Sequence, residues 1–508
     1  MPDAEQTKTE PQKDGESEKN DDSRGKASEP ADDLVTTHRT ITADGAELSY
    51  TATAGRMVLR LEGHTDDKFD GAPAKAEIFF TSYVLDPDAG QSQSHPGQPN
   101  PRPVTFAFNG GPGSASIWLH LGLLGPRRLL MGDAGALLPP PYGITDNEET
   151  LLRHSDLVFI DPVSTGYSRA AKGEKSKDFH GYTADIESVA EVIRLWTSRN
   201  GRWMSPKYLC GESYGTTRAA GIARYLQERA GLYLNGLILI STFLDGGSVE
   251  FTNGNDEAYV NYLPTYAAIA NYHGKHGDRP LREVLDEAQE YANGEYRRVL
   301  GLGARASEEE RTAAVEKVAS LAGLSTEYVD AVNLRPEHIR FLTELLRSER
   351  KTVGRIDGRF TGTDSDYGRE LWTTDPSIDA ITGPYAAVLN HYVRAELGYH
   401  SDLLYEVLTD RVHPWSFKEF EAQHLHVLDK LAEAMRVNPF MRVHVACGYY
   451  DAATPYFASE HDFAHLAVPA ELRENIEFAY YESGHMMYMH ESSRLDQSAR
   501  LAEFVTRA

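Results

Sequence analysis

The chain is poor in cysteine and has no long apolar run. Only Cys210 and Cys447 occur in 508 residues, which excludes a disulfide framework and suits a reducing compartment. No apolar stretch is long enough to cross a bilayer, so we expect no membrane partner. The formal net charge of −25 argues against a nucleic-acid partner, because phosphate backbones attract basic surfaces.

The first residues also lack aromatic side chains. Residues 1–33 contain no Phe, Trp or Tyr and hold eleven acidic but only five basic residues. Such a segment cannot bury enough apolar surface to offset its ordering entropy, so we predict a disordered acidic tail over residues 1–35. The N-terminus has no apolar core typical of a secretory signal, which favours a cytoplasmic location and leaves export open.

What the chain does have is an alternation of strand and helix signals over residues 104–241. This alternation is typical of a parallel sheet with helices on both faces, the α/β fold class. Residues 246–436 read as mostly helical without alternation, and strand signals resume near Met441. We therefore predict one α/β core, residues 36–245 and 437–508, interrupted by a helical insertion or cap at 246–436.

The most informative motif is Gly211-Glu212-Ser213-Tyr214-Gly215. A short strand-like run precedes it and a helix rich in small residues follows it, the setting of a nucleophile elbow. In such an elbow the serine takes strained backbone angles and its hydroxyl stands clear of the sheet. Chance alone also produces this pattern in a glycine-rich chain, so the prediction depends on its partners.

The partners occur in the chain order of α/β-hydrolases, which is Ser, then an acid, then His. Asp451 follows the predicted strand at residues 441–446, and His485 follows the one at 476–480. Both then lie past carboxyl ends of strands, where open α/β sheets place their sites. Taken singly, Asp451 reads equally as a turn residue and His485 as a loop histidine; their joint order favours a catalytic set.

Several motifs together resemble the serine carboxypeptidase family of α/β-hydrolases, and most resemble a bacterial-type branch. The matching segments cover about residues 100–245 and 437–490, and they are Asn109–Gly113, Phe159–Ser168, Gly211–Gly215, Gly448–Pro455 and Gly484–Met486. The resemblance implies hydrolysis of C-terminal residues from peptides, with no cofactor and no metal.

The resemblance also implies roles for single residues. Ser213 would be the nucleophile, His485 the general base and Asp451 its orienting acid. The backbone N–H groups of Gly111 and Tyr214 would form the oxyanion hole.

Substrate binding is implied for Asn109, Gly110 and Glu212, next to the substrate's terminal carboxylate. A carboxylate that meets another carboxylate must share a proton, which favours acidic pH. The chain departs from the family at Ala107, where tryptophan is usual, and at Leu123, where a second glutamate is usual.

These departures weaken recognition of a terminal carboxylate and leave alternatives open. Arg127 or Arg128 is a candidate replacement for the lost contact, and a solvated surface pair is the other interpretation. An esterase or acyltransferase of the same fold, or a binding protein without catalysis, competes with a carboxypeptidase as the interpretation of this chain.

His461 and His465 lie one helical turn apart as metal ligands can, without a third ligand. The oligomeric state, a homodimer included, stays open.

Overall fold

The structure is a computed structural model that describes residues 29–87, 100–134, 136–421 and 423–507. Its centre is a twisted sheet whose nine longer strands are β1 Asp33–Ala43, β2 Ala46–Arg60, β3 Ala74–Leu85, β4 Val104–Phe108, β5 Asp156–Ile160, β6 Lys207–Ser213, β7 Gly236–Thr242, β8 Arg442–Gly448 and β9 Ile476–Tyr481. The two-residue strand Arg169–Ala170 pairs with β3.

The strand order is β1-β2-β3-β5-β4-β6-β7-β8-β9. Neighbouring strands in the run β5-β4-β6-β7-β8-β9 pair in parallel. Strands β1, β2 and β3 form an antiparallel edge, and β3 pairs antiparallel with β5. This arrangement confirms the predicted mostly parallel α/β sheet. Parallel neighbours have their carboxyl ends at one edge, which gathers the residues that follow β4, β6, β8 and β9.

Helices cover both faces of the sheet. The longer ones are α1 Tyr182–Arg199, α2 Tyr214–Ala230, α3 Glu257–Tyr272, α4 Leu281–Tyr291, α5 Glu308–Ala322, α6 Pro376–Ala395, α7 Leu428–Val437, α8 Tyr456–Ala464 and α9 Glu491–Thr506. In β6, Leu209 belongs to one apolar cluster, while Tyr208 and Cys210 belong to the cluster on the opposite face. Burial on both faces explains the nearly continuous apolar runs of these strands.

The insertion contains more than a helical cap. Its shorter elements are the helices Arg297–Leu302, Thr326–Ala331 and His338–Glu344 and a hairpin of Thr352–Val353 with Thr361–Gly362. Helix α7, which the sequence boundary at 436 cuts, packs on α2 of the core. Tyr392 of α6 lies against the sheet, since its hydroxyl is 3.0 Å from that of Tyr83.

The end of the segment predicted to be disordered, residues 33–35, lies in a strand. Residues 1–28 lie outside the described residues, but β1 begins at Asp33, inside the segment predicted to be disordered. Asp33 pairs with Arg56 in the strand register, and the Asp32 carboxylate accepts a hydrogen bond of 2.8 Å from the Val58 N–H. Backbone pairing with β2 therefore orders residues whose composition alone favours disorder. Within the described part of the chain, no helix is both long and apolar enough to cross a membrane.

Candidate active site

Ser213 lies at a sharp junction between β6 and α2. Its backbone φ is +61°, a value that non-glycine residues rarely adopt, and α2 begins at the next residue. The turn leaves no room for side chains on its flanks: a Cβ on Gly211 would lie 2.2 Å from the Gly215 carbonyl oxygen. Local sequence therefore produces a strained turn that projects the serine from the end of the strand.

Asp451 and His485 meet at the same edge of the sheet. Nδ1 of His485 lies 2.7 Å from Oδ2 of Asp451, and both side chains are buried. The Asp451 carboxylate also accepts hydrogen bonds from the Ala453 and Thr454 N–H groups and from the Thr454 hydroxyl. Burial lowers the pKa of His485, but the charge and hydrogen bond of Asp451 outweigh it and raise the pKa above its ordinary value.

Ser213 and His485 line one cavity of about 230 Å³. Within the described residues, no hydrogen bond joins the serine hydroxyl to the imidazole, although both residues line the same cavity. Catalytic hydrogen bonds are often long before substrate binds. The backbone of His485 is held from two sides, because its N–H donates to the Ile356 carbonyl (2.7 Å) and its carbonyl accepts from the Ser241 hydroxyl (2.8 Å).

The loop after β4 brings backbone N–H groups to the elbow. A Cβ on Gly110 would lie 2.5 Å from the Tyr214 nitrogen, so only glycine allows this approach. Gly111 has a φ of +102°, and its N–H has no acceptor in the described part of the chain. Tyr214 is the first residue of α2, so its N–H has no partner within the helix. Gly111 lines the same cavity as Ser213, and Tyr214 directly follows it, so these two N–H groups remain the candidates for an oxyanion hole.

Glu212 is buried in a network of hydrogen bonds behind the nucleophile. Asn109 Nδ2 donates to Glu212 Oε1 (2.8 Å), and the Tyr488 hydroxyl donates to Oε2 (2.7 Å). Burial raises the pKa of Glu212 to about 7, while the nearby His485 and both hydrogen bonds act in the opposite direction. The Tyr488 contact is absent from our sequence analysis, because no motif marks a tyrosine three residues after the histidine.

A buried ion pair fixes the loop that carries Asn109, and sequence analysis missed it. Arg218 on α2 lies 2.8 Å from the Asp185 carboxylate on α1, and both side chains are almost fully buried. Arg218 also donates to the Asn109 carbonyl. The available signal was an arginine among the small residues in the first turns of α2. Because a buried charge needs a partner, such a residue indicates a buried ion pair.

The proposed replacement contact from Arg127 or Arg128 is wrong for this cavity. Arg127 pairs with Asp146 and Glu396, and neither arginine is among the residues that line the cavity around Ser213. Arg128 instead lines a separate cavity with Tyr385 and Tyr488. The arginine that does line the active-site cavity is Arg355, from the insertion.

At both positions where the chain departs from the family pattern, the side chain is apolar. Ala107 and Leu123 are buried in one apolar cluster, which also contains Tyr385 and Tyr488.

His461 and His465 line a cavity away from Ser213, and His461 pairs with Glu257 at 3.2 Å. Among residues 29–87, 100–134, 136–421 and 423–507, no group of three or more His, Cys, Asp or Glu residues is arranged to hold a metal ion.

Comparisons with known proteins identify the family of this chain. A family model described as serine carboxypeptidase matches residues 91–473. Serine carboxypeptidase 24 of Arabidopsis thaliana is 22% identical over 218 residues, which cover 40% of this chain and 45% of that protein. The chain thus matches less than half the length of this curated relative.

Among solved structures, the fold is similar to that of Kex1(Δ)p, a prohormone-processing carboxypeptidase from Saccharomyces cerevisiae. The TM-score is 0.54 at 15% identity, and the match covers 89% of this chain and 91% of the yeast chain. At this identity the likeness concerns the α/β-hydrolase fold alone. The family model, which spans most of the chain, carries the assignment: the protein belongs to the serine carboxypeptidase family.

Proposed function

We propose that this protein is a serine carboxypeptidase that removes C-terminal residues from peptides through Ser213, His485 and Asp451. The observation that carries the proposal is one cavity lined by Ser213, His485, Asn109 and Glu212, with Asp451 bonded to the histidine. It combines the groups for acyl transfer with two polar side chains suited to a terminal carboxylate.

In the first half of the reaction, the Ser213 hydroxyl attacks the carbonyl carbon of the last peptide bond. The serine proton passes to Nε2 of His485, and Asp451 stabilises the imidazolium through Nδ1–H. The negative charge on the former carbonyl oxygen is received by the N–H groups of Gly111 and Tyr214. His485 then gives its proton to the leaving amine, which departs as the free C-terminal amino acid.

In the second half, water attacks the acyl-enzyme. His485 takes a proton from that water and returns it to the Ser213 oxygen, which releases the shortened peptide. Glu212 acts on binding rather than on bond cleavage. When protonated it donates to the substrate carboxylate, next to the Asn109 amide.

The test compares one N-blocked peptide with a free or an amidated C-terminus, from pH 4 to 8, with products read by mass spectrometry. We expect stepwise loss of C-terminal residues from the free acid only, and no loss with Ser213→Ala. Cleavage of neither peptide, with turnover of a simple ester through Ser213, would replace the proposal with an esterase or acyltransferase. A protein that also fails to react with a serine-directed phosphonate would be a binding protein.

A further inference from the structure

Arg355 brings a positive charge from the insertion into the active-site cavity. Among the described residues that line this cavity, it is the single arginine or lysine, and Glu212 and Asp410 are the acidic ones. It lies just after the hairpin strand Thr352–Val353, in a segment that no sequence motif marks.

The backbone around Arg355 is tied to both loops of the proposed triad. The Arg355 carbonyl accepts a hydrogen bond of 3.1 Å from the Ala452 N–H, next to Asp451, and the neighbouring Ile356 carbonyl accepts from the His485 N–H. The Arg355 N–H itself donates to Asp375 Oδ1 at 3.1 Å. Three backbone anchors therefore hold this arginine at a fixed place beside the catalytic groups.

Its guanidinium, in contrast, forms only one long ion pair among the described residues, with Asp375. In the part of the chain that the structure describes, the Arg355 side chain donates no hydrogen bond. Its nearest carboxylate oxygen is Asp375 Oδ2 at 3.9 Å from Nε, beyond hydrogen-bonding range. The side chain is 37% exposed. The neighbouring Arg359 differs, since it is buried and bonded to Asp357.

We propose that Arg355 binds a carboxylate of the substrate, a contact that the apolar side chains of Ala107 and Leu123 cannot make. A guanidinium presents paired N–H donors that match a carboxylate, and its charge does not vary with pH. The inference rests on the proposed function, because it names what the same cavity recognises. Two carboxylates are available on a peptide: the C-terminal one and an acidic side chain next to the scissile bond.

The experiment uses Arg355→Gln and Arg355→Lys, with Arg350→Gln as the matched control, since Arg350 is exposed and does not line the cavity. Competition against hydrolysis of a small neutral ester reports binding without peptide cleavage. Three competitors separate the sources: N-acetyl-leucine carries a terminal carboxylate only, N-acetyl-glutamate α-amide a side-chain carboxylate only, and N-acetyl-leucinamide neither.

We expect Arg355→Gln to raise the inhibition constant of one carboxylate competitor by about 10- to 100-fold, the value of a lost charge-assisted hydrogen bond. The inhibition constant for Arg355→Lys should fall between those of Arg355→Gln and wild type, while the inhibition constant of the amide competitor should not change, because that competitor has no carboxylate. The competitor that weakens identifies the carboxylate source. Equal inhibition constants for Arg355→Gln and Arg350→Gln with every competitor would overturn the inference.

Peptide cleavage is measured separately on the same proteins. Wild-type protein that cleaves no peptide but shows the competition difference would reject the peptidase and retain the carboxylate site. If wild type and Arg355→Gln cleave peptides equally well and show the same inhibition constants, the peptidase would be retained and the role of Arg355 rejected. The two failures are therefore distinguishable.

Discussion

The carboxyl edge of the sheet and the insertion both line the same cavity, but they do so by different means. At the sheet edge, Asn109 directly follows β4, Ser213 ends β6, and His485 lies four residues past β9. The insertion contributes Arg355, Ile378 and Leu408 from three separate segments, none at a strand end of the central sheet.

This difference separates two kinds of constraint. Hydrogen bonds between the strands fix the positions of the strand ends. A short motif that directly follows a strand is therefore placed by the sheet. Groups of the insertion depend on how its helices and loops pack, and a motif cannot specify that. We infer that the sheet edge supplies bond cleavage and the insertion adjusts what binds.

The largest effect is expected at the sheet edge. Ser213→Ala should lower kcat by about 10⁵- to 10⁶-fold, because the attacking oxygen is lost. In the insertion, Leu408→Ala removes a half-exposed cavity side chain and should change kcat/KM by about tenfold or less. The two variants are compared by their kinetics with a free-acid peptide, and equal melting temperatures show that both are folded. Comparable losses of activity in both variants would contradict the inference that the sheet edge cleaves the bond while the insertion adjusts binding.

A glycine pair sharpens the same contrast. Gly110→Ala places a Cβ 2.5 Å from the Tyr214 nitrogen and should cost about 10²- to 10³-fold in kcat by displacing the oxyanion hole. Gly301, in the insertion helix Arg297–Leu302, has nothing within 4 Å of an added Cβ. Gly301→Ala should leave kcat unchanged and stabilise the fold by up to about 1 kcal/mol. Thermal unfolding and kcat measured on both variants test this; an inactive Gly301→Ala would contradict it.

Substrate binding should depend on pH through Glu212. Glu212, with a pKa raised to about 7 by burial, is neutral below that pH and donates to a substrate carboxylate; above it, the ionised group repels that carboxylate. KM for a free-acid peptide should therefore rise up to about tenfold per pH unit above 7. Glu212→Gln should flatten this rise, whereas Arg355→Gln should not, since an arginine stays charged.

KM profiles from pH 6 to 8.5 distinguish these expectations. An amidated or ester substrate serves as the control, because it has no terminal carboxylate for Glu212 to repel. The same slope in wild type and Glu212→Gln would remove Glu212 from carboxylate binding.

The smallest effect is expected at Tyr488. Its hydroxyl donates to Glu212 and lowers the pKa of that carboxyl, so Tyr488→Phe should raise this pKa and move the rise in KM to higher pH, by about one unit or less. Tyr385→Phe is the matched control, since Tyr385 contacts the same neighbour, Gly122, but makes no hydrogen bond to Glu212. Equal profiles for the two variants would show that the Tyr488 contact does not tune Glu212.

Much of the core was predictable from sequence because its signals are local. The strand and helix around Ser213 and the strands before Asp451 and His485 all occur close to their expected places. In these elements, a short apolar run bounded by turn residues indicates directly where a buried strand begins and ends. The expected disorder of residues 33–35 was wrong, since their pairing with β2 outweighs their polar composition.

Contacts between distant segments were not predictable. Tyr488 reaches Glu212 across 276 residues of sequence, and Arg218 meets Asp185 across two helices. No periodicity encodes such pairs, because their distance is set by how the elements pack. The same holds for Arg355, which sequence reasoning overlooked in favour of Arg127 and Arg128.

The sequence by itself determined the α/β class, the elbow at Ser213, and the order in which Asp451 and His485 follow it. These depend on hydrophobic periodicity and on backbone angles that only certain residues permit. Only the tertiary structure decided which arginine lines the cavity, what Glu212 is bonded to, and how the insertion holds His485. Those contacts arise where separate elements close on one another, and their energies depend on burial that no local segment experiences alone.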